Sequence, residues 1–307
     1  MDAQSVLYWS HISTYEACPY RFLLRYGWEE IERTPFPGPR RSMHQAVMGK
    51  VVQKAVETLY NDELWRDPKK VSDFLLPFVE REWQRQIKKS KNFINYDKAG
   101  MSNHEMIEVC KEGVAGYLRT MKRHRLLGPY ARAEVRLEGE INKWVTVGGI
   151  ADVIVRRKDT GITITDGKNT RWKMRYTNPD QLRWYALCFW REYRVMPDRL
   201  GFVWYRFPAG METFDVETGE PIIEEGVEWI PFDKDDLVGL AHRAVEARNK
   251  MRKRKFDAVP VPDVCKNCDF ESICEARQEQ RERNSSRRRS KQLSELKESE
   301  GFLDLEL

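Results

Sequence analysis

Two apolar runs that carry charged residues decide the fold of this chain: Gly149-Ile150-Ala151-Asp152-Val153-Ile154-Val155 and Ile162-Thr163-Ile164-Thr165-Asp166-Gly167-Lys168. Both runs are rich in β-branched residues, and the turn-forming stretch Lys158-Asp159-Thr160-Gly161 lies between them, so they predict a β-hairpin. In this hairpin the numbers of opposed residues sum to roughly 318–320, which places Asp152 opposite Asp166 to Lys168. Asp166 and Lys168 are two residues apart and project from the same face of a strand. The pattern therefore predicts two carboxylates and one ammonium group on one patch of sheet.

The predicted patch suits metal ions and phosphate chemistry. Carboxylate oxygens favour Mg²⁺ or Mn²⁺, which bind proteins through one or two carboxylates together with water and substrate phosphates. A neighbouring lysine can hold an attacking water or stabilise negative charge that develops on phosphorus. The alternative explanation is an ordinary solvated salt bridge between Lys168 and Asp152 or Asp166.

The remaining sequence predicts a mixed α/β fold. Strands are predicted at 133–141, 144–155, 162–168 and 200–207, and apolar spacing predicts helices at 42–59, 71–89, 106–125 and 234–255. Asn178, Pro179 and Asp180 mark the start of a further helix, because Asn caps, Pro fits the first turn and Asp favours the positive end of the helix dipole. The charged, apolar-poor sequence after residue 278 predicts disorder. We therefore expect one domain at 1–275 and a flexible charged tail at 276–307.

Composition excludes several classes of protein. The 53 Lys and Arg residues against 48 Asp and Glu give a net charge of +5, which allows an anionic partner without requiring one. No stretch approaches the ~18 consecutive apolar residues of a membrane span, and the first residues lack the features of a signal peptide. Six cysteines in 307 residues are too few for a disulfide scaffold. We therefore expect no membrane partner and a location in the cytoplasm, or in the host cytoplasm if a phage encodes the chain.

A family resemblance follows from the order of these motifs. The string Gly-Gly-Ile-Ala-Asp152 followed by Asp166-Gly-Lys168 resembles the signature of the PD-(D/E)XK nuclease superfamily, and Gln181-Leu-Arg-Trp-Tyr185 resembles the Gln-x-x-x-Tyr motif of its RecB-like branch. Gln181 and Tyr185 are four residues apart and share one face of a helix. The resemblance implies a restriction-endonuclease-like α/β core, with a mixed central sheet flanked by helices. It also implies that Gln181 and Tyr185 orient a nucleic-acid strand.

The same resemblance implies a set of metal ligands and a catalytic lysine. Asp152 and Asp166, with the Gly167 carbonyl group, would hold Mg²⁺ or Mn²⁺, and Lys168 would position or activate the attacking water. Many RecB-like nucleases carry a histidine ligand in a Gly-x-x-x-His motif, and the matching string here is Gly49-Lys-Val-Val-Gln53. An amide oxygen can ligate a hard cation without contributing charge, so we expect Gln53 to bind the metal more weakly than histidine.

Two other acidic residues compete with this assignment. Glu57 lies one turn beyond Gln53 and could supply a carboxylate instead, which would leave Gln53 an ordinary polar helix residue. Glu134 stands where such nucleases often have an acidic residue on the first core strand, and we assign it an accessory role.

The cysteines predict a soft-metal site. Cys265, Cys268 and Cys274 form a C-x2-C-x5-C cluster, which in a reduced compartment indicates metal ligands. Cys18 is the remaining candidate for a fourth thiolate, since the other two cysteines occupy apolar positions of predicted helices. This arrangement resembles the iron–sulfur subgroup of RecB-like nucleases, which includes the AddB nuclease domain and CRISPR adaptation nucleases. It implies a 4Fe–4S cluster that joins the N- and C-terminal segments, and zinc is the alternative metal.

Together these features predict a metal-dependent DNA exonuclease acting on single-stranded DNA or duplex ends in recombination, repair or phage DNA metabolism. Arg171 and Lys173 follow Lys168 and are predicted to contact the DNA backbone. A helicase or recombination protein is a candidate partner. The alternatives are a non-catalytic iron–sulfur DNA-binding protein, a structure-specific endonuclease, and a nuclease that acts on RNA.

Overall fold

The structure is a computed structural model that describes residues 6–32, 43–89, 94–169, 178–206, 213–214, 221–223, 226–266 and 268–303. The described residues fall into two units. One unit contains Asp2–Trp9 and Arg40–Glu246 and carries the predicted hairpin. The other combines Ser10–Pro39 with Ala247–Leu307 and carries the four predicted cysteine ligands.

A mixed central sheet organises the larger unit, and the strands predicted from the sequence are confirmed within it. Among the described residues it contains six strands: β1 Leu7–Tyr8, β2 Ala131–Asn142, β3 Val145–Arg157, β4 Gly161–Lys168, β5 Arg199–Trp204 and β8 Val227–Ile230. The order is β1-β3-β4-β5-β8, with β2 paired to β3. The pairs β1·β3 and β4·β5 are parallel, and β2·β3, β3·β4 and β5·β8 are antiparallel. A separate antiparallel pair joins β6 Thr213–Phe214 and β7 Pro221–Ile223.

The predicted register of the hairpin is confirmed. Residue pairs between β3 and β4 run from Arg157↔Gly161 at the turn to Val153↔Thr165. The four consecutive residues at the centre of β4 and most residues of β3 are buried because helices cover the sheet, so β-branched residues fill both strands.

Helices surround this sheet and supply most of its packing partners. In the larger unit they are α3 His44–Asn61, α4 Pro68–Lys70, α5 Leu76–Ile87, α6 Tyr96–Ala99, α7 Asn103–Arg123 and α8 Pro179–Tyr193, with a 3-10 turn at Leu64–Arg66 and a π-helical turn at Val71–Leu75. Helix α3 buries one stripe of small and medium apolar side chains, including Val51, Val52 and Ala55, in a core shared with Trp83 of α5 and Tyr117 of α7. The helical period predicted from the sequence places this stripe on one face.

The start of α8 is as the sequence predicts. The Asn178 side chain accepts a hydrogen bond from the Asp180 backbone N–H, and Pro179 occupies the first turn. Arg243 donates to the Asp180 carboxylate at 2.6 Å and holds this end of the helix. These contacts fix the start of α8 and therefore the direction in which the Gln181 and Tyr185 side chains project.

The smaller unit is helical in its described residues. It contains α1 Trp9–Ala17 from Ser10 onward, α2 Pro19–Glu32, the end of α9 Lys234–Arg252, α10 Pro262–Cys265 and α11 Glu275–Leu303. Phe22 stacks on Phe256 with ring centroids 6.3 Å apart, and the Tyr15 hydroxyl donates to the Lys255 carbonyl at 2.6 Å. These contacts join the N-terminal helices to the C-terminal segment.

Two local predictions differ from the structure. The stretch predicted as a disordered tail forms α11 through Leu303, because Glu, Arg and Gln have high helix propensity and pairs such as Arg283–Glu279, 2.9 Å, add i,i+4 attraction. Helix α3 begins at His44, after a Met43 whose side chain makes no capping bond, and residue 42, where the predicted helix begins, lies outside the described residues.

Candidate active site

Five elements of the larger unit bring the predicted site residues together. Helix α3 carries Gln53 on the side that meets β2, and the ends of β3 and β4 present their charged residues beside the first turns of α8. The residues connected by hydrogen bonds or ion pairs in this cluster are Gln53, Glu134, Asp152, Asp166, Gly167, Lys168, Gln181 and Tyr185.

The position of Asp152 follows from a divergence of strands. Strand β2 covers one edge of β3, whereas the other edge pairs with β1 at Val147 and Gly148 and with β4 from Val153 onward. Asp152 lies where β4 begins to separate from this edge. Its Oδ2 atom accepts a hydrogen bond from the Gly167 backbone N–H at 2.7 Å, which satisfies a donor that the ladder has released.

A second network connects β4 with α8. The Asp166 Oδ1 atom accepts from Gln181 Nε2 at 3.0 Å, and Lys168 Nζ donates to Gln181 Oε1 at 3.1 Å. Gln181 Nε2 also donates to the Tyr185 hydroxyl at 3.0 Å. Lys168 Nζ lies 2.5 Å from Asp166 Oδ2, an atom that is buried and receives no well-oriented hydrogen bond from the described residues. Gln181, which is bonded to Tyr185 one turn along α8, therefore holds both Asp166 and Lys168 by hydrogen bonds.

Glu134 joins the cluster through an unusual backbone conformation. Its φ of +52° lies in the left-handed region, within a strand whose neighbours Ala133 and Val135 keep regular pairing with β3. The Glu134 carboxylate accepts from Gln53 Nε2 at 2.5 Å, and the same nitrogen donates to Asp152 Oδ1 at 3.1 Å. A non-glycine residue in this region is strained by about 1–3 kcal/mol, and such strain occurs preferentially at functional sites. Glu134 is therefore connected to Asp152 through Gln53, which its sequence position alone does not indicate.

Gln53 reaches the predicted site by its amide nitrogen. It bridges two carboxylates, so its oxygen would have to turn toward them for Gln53 to ligate a cation. Glu57, the alternative ligand on α3, instead pairs with Lys54 at 2.6 Å.

The electrostatics of the cluster favour a bound cation. Burial raises the pKa of Asp152 well above its usual value, and the negative charge of Asp166 raises it further. Burial also raises the pKa of Asp166, against the opposing charge of Lys168, and burial raises the pKa of Glu134. A cation placed beside these carboxyl groups would offset the cost of ionising them.

The donor set fits a hard divalent metal. Asp152 and Asp166 supply carboxylate oxygens, and Glu134, the Gly167 carbonyl group and the Gln53 amide supply further oxygen atoms. Within the described residues, no three His, Cys, Asp or Glu side chains converge as a ready-made metal site. Mg²⁺ does not need such a cage, because it commonly binds through one or two carboxylates and completes its coordination with water and phosphate.

Tyr205 is a neighbour of this site that the motifs do not indicate. It follows β5 and is buried, and its hydroxyl lies against the Cα atom of Gly167, where any side chain at Gly167 would overlap it. Burial raises the pKa of Tyr205, and the charges of Asp152 and Asp166 raise it further, so the hydroxyl stays protonated. The sequence marks it only as an aromatic residue within the predicted strand at 200–207.

The predicted backbone-contact residues Arg171 and Lys173 lie outside the described residues. The described chain resumes at Asn178, directly before the helix that carries Gln181.

The four cysteines surround one pocket in the smaller unit. Cys18, Cys265, Cys268 and Cys274 line this pocket together with side chains such as Phe270 and Arg277. Burial raises the pKa of Cys265, Arg277 opposes this increase, and the other three cysteines add to it. The backbone N–H groups of Arg21 and Val259 donate to the Cys18 sulfur at 3.5 and 3.4 Å.

Comparison with known proteins identifies the family. The model of the PD-(D/E)XK nuclease superfamily matches residues 9–275. No curated protein matches the chain. Among solved structures, the crystal structure of SSO0001 aligns with 83% of this chain and 95% of that chain, at 16% identity and with a TM-score of 0.32. No helix in the described residues is both long and apolar enough to cross a membrane. The family match spans both the carboxylate cluster and the cysteines, and the chain belongs to the PD-(D/E)XK nuclease superfamily.

Proposed function

We propose that this chain is a metal-dependent exonuclease that hydrolyses phosphodiester bonds of DNA, at single-stranded or duplex ends. The observation that supports the proposal most directly is the linked set of Asp152, Asp166, Lys168 and Gln181, in which buried carboxylates lie beside an ammonium group. Family membership supports nuclease chemistry on DNA with Mg²⁺ or Mn²⁺. Recombination, repair or phage DNA metabolism in a reducing cytoplasm, with a helicase or recombination partner, is the proposed setting.

Each residue of the cluster has a defined task in this proposal. Asp152 and Asp166 would hold the metal, which when bound polarises the phosphate and lowers the pKa of water. Lys168 donates toward the reacting phosphate or the attacking water from a position fixed by Asp166 and Gln181. Gln181 and Tyr185 hold the geometry of Lys168 and Asp166, and their face of α8 would meet the strand.

The catalytic assignment is tested with end-labelled DNA in Mg²⁺ or Mn²⁺. Asp152→Ala, Asp166→Ala and Lys168→Ala are each expected to lower hydrolysis by at least ~10³-fold, because each removes a metal ligand or a charge that stabilises the transition state. Lys111→Ala is the matched control, since it breaks lysine–carboxylate pairs with Glu80 and Glu108 that lie outside the network. If Lys168→Ala and Lys111→Ala both kept wild-type turnover, Lys168 would be a structural salt-bridge partner.

Substrate topology distinguishes the proposed mode from its alternatives. An exonuclease degrades linear DNA and leaves covalently closed circular DNA intact, whereas an endonuclease cleaves both. An RNA strand of the same sequence, assayed in parallel, tests the preference for DNA.

A non-catalytic DNA-binding protein is the second candidate, and one observation favours it. Gln53 donates from its amide nitrogen to Glu134 and Asp152 and so occupies them in place of a cation. This candidate predicts that the wild type binds DNA but does not cleave it at any Mn²⁺ concentration.

We further propose that Cys18, Cys265, Cys268 and Cys274 hold a 4Fe–4S cluster. The four thiols line a common pocket. Four thiolates suit either a 4Fe–4S cluster or a zinc ion, and the resemblance of the C-x2-C-x5-C arrangement to that of iron–sulfur nucleases favours the cluster. The cluster would link the two segments of the smaller unit.

Anaerobic purification tests the cluster. We expect brown protein with a broad absorbance band near roughly 400 nm, and Cys268→Ala should lose the band and unfold at lower temperature. Cys188→Ala is the control, since Cys188 is buried in α8 of the larger unit. Colourless wild type with stoichiometric zinc would replace the cluster assignment with a zinc site.

A further inference from the structure

Helix α11 carries an unusual distribution of charge over its first five turns. Residues 275–292 contain seven Arg and Lys residues and three Glu residues, and every residue from 281 to 290 is exposed. An exposed helix with mixed charges normally places Glu and Arg on the same faces, where they form i,i+4 pairs.

On α11 one such pair joins Arg283 to Glu279 at 2.9 Å, and a stripe of other arginines runs along a different side of the helix. At 100° per residue, Arg277, Arg281 and Arg288 project within about 40° of one another, and the three glutamates project from the opposite half of the helix. A groove along this stripe, which we call the arginine face, is lined by Pro262 and by seven residues of α11: Arg277, Arg281, Asn284, Ser285, Arg288, Arg289 and Gln292. None of these lining residues is acidic.

The arginine face begins with arginines that form ion pairs and continues with arginines that form none among the described residues. Glu271 accepts from Arg277 at 3.2 Å and from Arg281 at 2.8 Å, which ties the first turns of α11 to the cysteine-bearing segment. Across the described residues, no carboxylate forms an ion pair with Arg288 or Arg289. The outer part of the face therefore presents fully charged guanidinium groups with neutral Asn and Ser donors beside them.

We propose that the arginine face of α11 binds the phosphate backbone of nucleic acid, independently of base sequence. Guanidinium groups pair with phosphate oxygens through two parallel hydrogen bonds, and their charge does not depend on pH in the physiological range. One helical stripe with a rise of ~1.5 Å per residue places Arg281 and Arg288 about 10 Å apart along the helix axis, so their guanidinium groups can pair with separate phosphates. This inference rests on the proposed function, in which nucleic acid is the substrate.

Salt-dependent DNA binding tests the arginine face in the full chain. The parent is Asp166→Ala, which prevents hydrolysis during the measurement. Fluorescence anisotropy of a labelled oligothymidine gives Kd from 50 to 300 mM NaCl. Adding Arg288→Gln and Arg289→Gln should reduce the slope of log K against log salt by about 1.4, since each single-strand phosphate contact contributes about 0.7.

The matched control removes the same charge elsewhere. Lys69→Gln with Lys70→Gln also lowers the net charge by two, at exposed residues of α4, and should leave the slope unchanged. Glutamine keeps helix propensity, and circular dichroism checks that both double variants remain folded.

The outcomes separate this inference from the nuclease proposal. Equal slopes for the two double variants would overturn the inference, leave the nuclease proposal standing, and indicate an acidic protein surface as the partner of α11. Failure of the parent protein to bind any DNA would overturn both.

Discussion

Tyr205 is held in place by contacts of its backbone, its ring and its hydroxyl. Its backbone N–H donates to the Lys168 carbonyl at 3.1 Å, its ring contacts Tyr117 edge-on with centroids 5.0 Å apart, and its hydroxyl lies against Gly167. Because burial and the nearby carboxyl groups keep its pKa high, the hydroxyl remains protonated and can donate a hydrogen bond. In the proposed function, a fixed donor at this place is suited to orient a ligand of the metal.

We expect Tyr205→Phe to lower the rate of DNA hydrolysis by about 10-fold or more, as the loss of one preorganised donor does, with little change in stability. Tyr117→Phe is the control, because its hydroxyl bonds to Tyr60 at 2.8 Å. It should lower the free energy of unfolding by roughly 1 kcal/mol and leave turnover in place. Equal rates of hydrolysis for Tyr205→Phe and the wild type would show that the Tyr205 hydroxyl takes no part in the reaction.

At the scale of elements, the approach of α7 to the end of β5 sets the position of Tyr205. A Cβ atom on Gly116 would overlap the Tyr205 carbonyl oxygen, which is backbone and cannot rotate away. Helix α7 is otherwise well specified, with a capping box between Ser102 and Glu105. Gly116 therefore allows the helix to pack close enough for Tyr205 to reach Gly167.

Gly116→Ala should force α7 and β5 apart, lower the free energy of unfolding by about 1–3 kcal/mol, and reduce hydrolysis with it. Gly239→Ala is the matched control, since Gly239 is also helical and has no neighbour near its added methyl group. It should be neutral or stabilise the protein by roughly 0.5–1 kcal/mol. Thermal unfolding and the end-labelled DNA assay together check both variants, and an equally stable, equally active Gly116→Ala would contradict the packing argument.

For the whole molecule, the acidic cluster opposes folding when no cation is bound. A carboxyl group whose pKa is higher in the folded than in the unfolded chain favours folding at low pH, and this contribution is lost as pH rises through the folded pKa. The pKa values of Asp152, Asp166 and Glu134 are all raised in this sense. The metal-free chain is therefore expected to lose stability as pH rises through these pKa values.

Asp152→Asn should therefore raise the melting temperature of metal-free protein at pH 8 while abolishing hydrolysis, because it removes one of the buried like charges. The expected gain is on the order of 1–3 kcal/mol, and it should shrink as pH is lowered toward 5, where the wild-type carboxyl takes up its proton. Melting curves in chelator at both pH values check this. A wild type that is more stable than Asp152→Asn at pH 8 would mean that the Gly167 and Gln53 hydrogen bonds already compensate the charge.

The sequence by itself determined the features that depend on local patterns. Alternation and turn residues specify the β3–β4 hairpin and its register, and the Asn178 cap starts α8 so that Gln181 and Tyr185 share a face. Spacing also grouped Cys265, Cys268 and Cys274, which line one pocket with Cys18.

Only the tertiary structure decided the features that depend on distant contacts. The left-handed backbone of Glu134, the bridge made by the Gln53 amide nitrogen and the position of Tyr205 each require segments that are 50 or more residues apart to meet, and no local periodicity encodes such meetings. The tail differs for another reason: its polar composition predicts disorder, but residues with high helix propensity and a Glu271 anchor on Arg277 make a helix. Local pattern therefore specifies the strands and the motif residues, and long-range packing specifies the geometry in which those residues act.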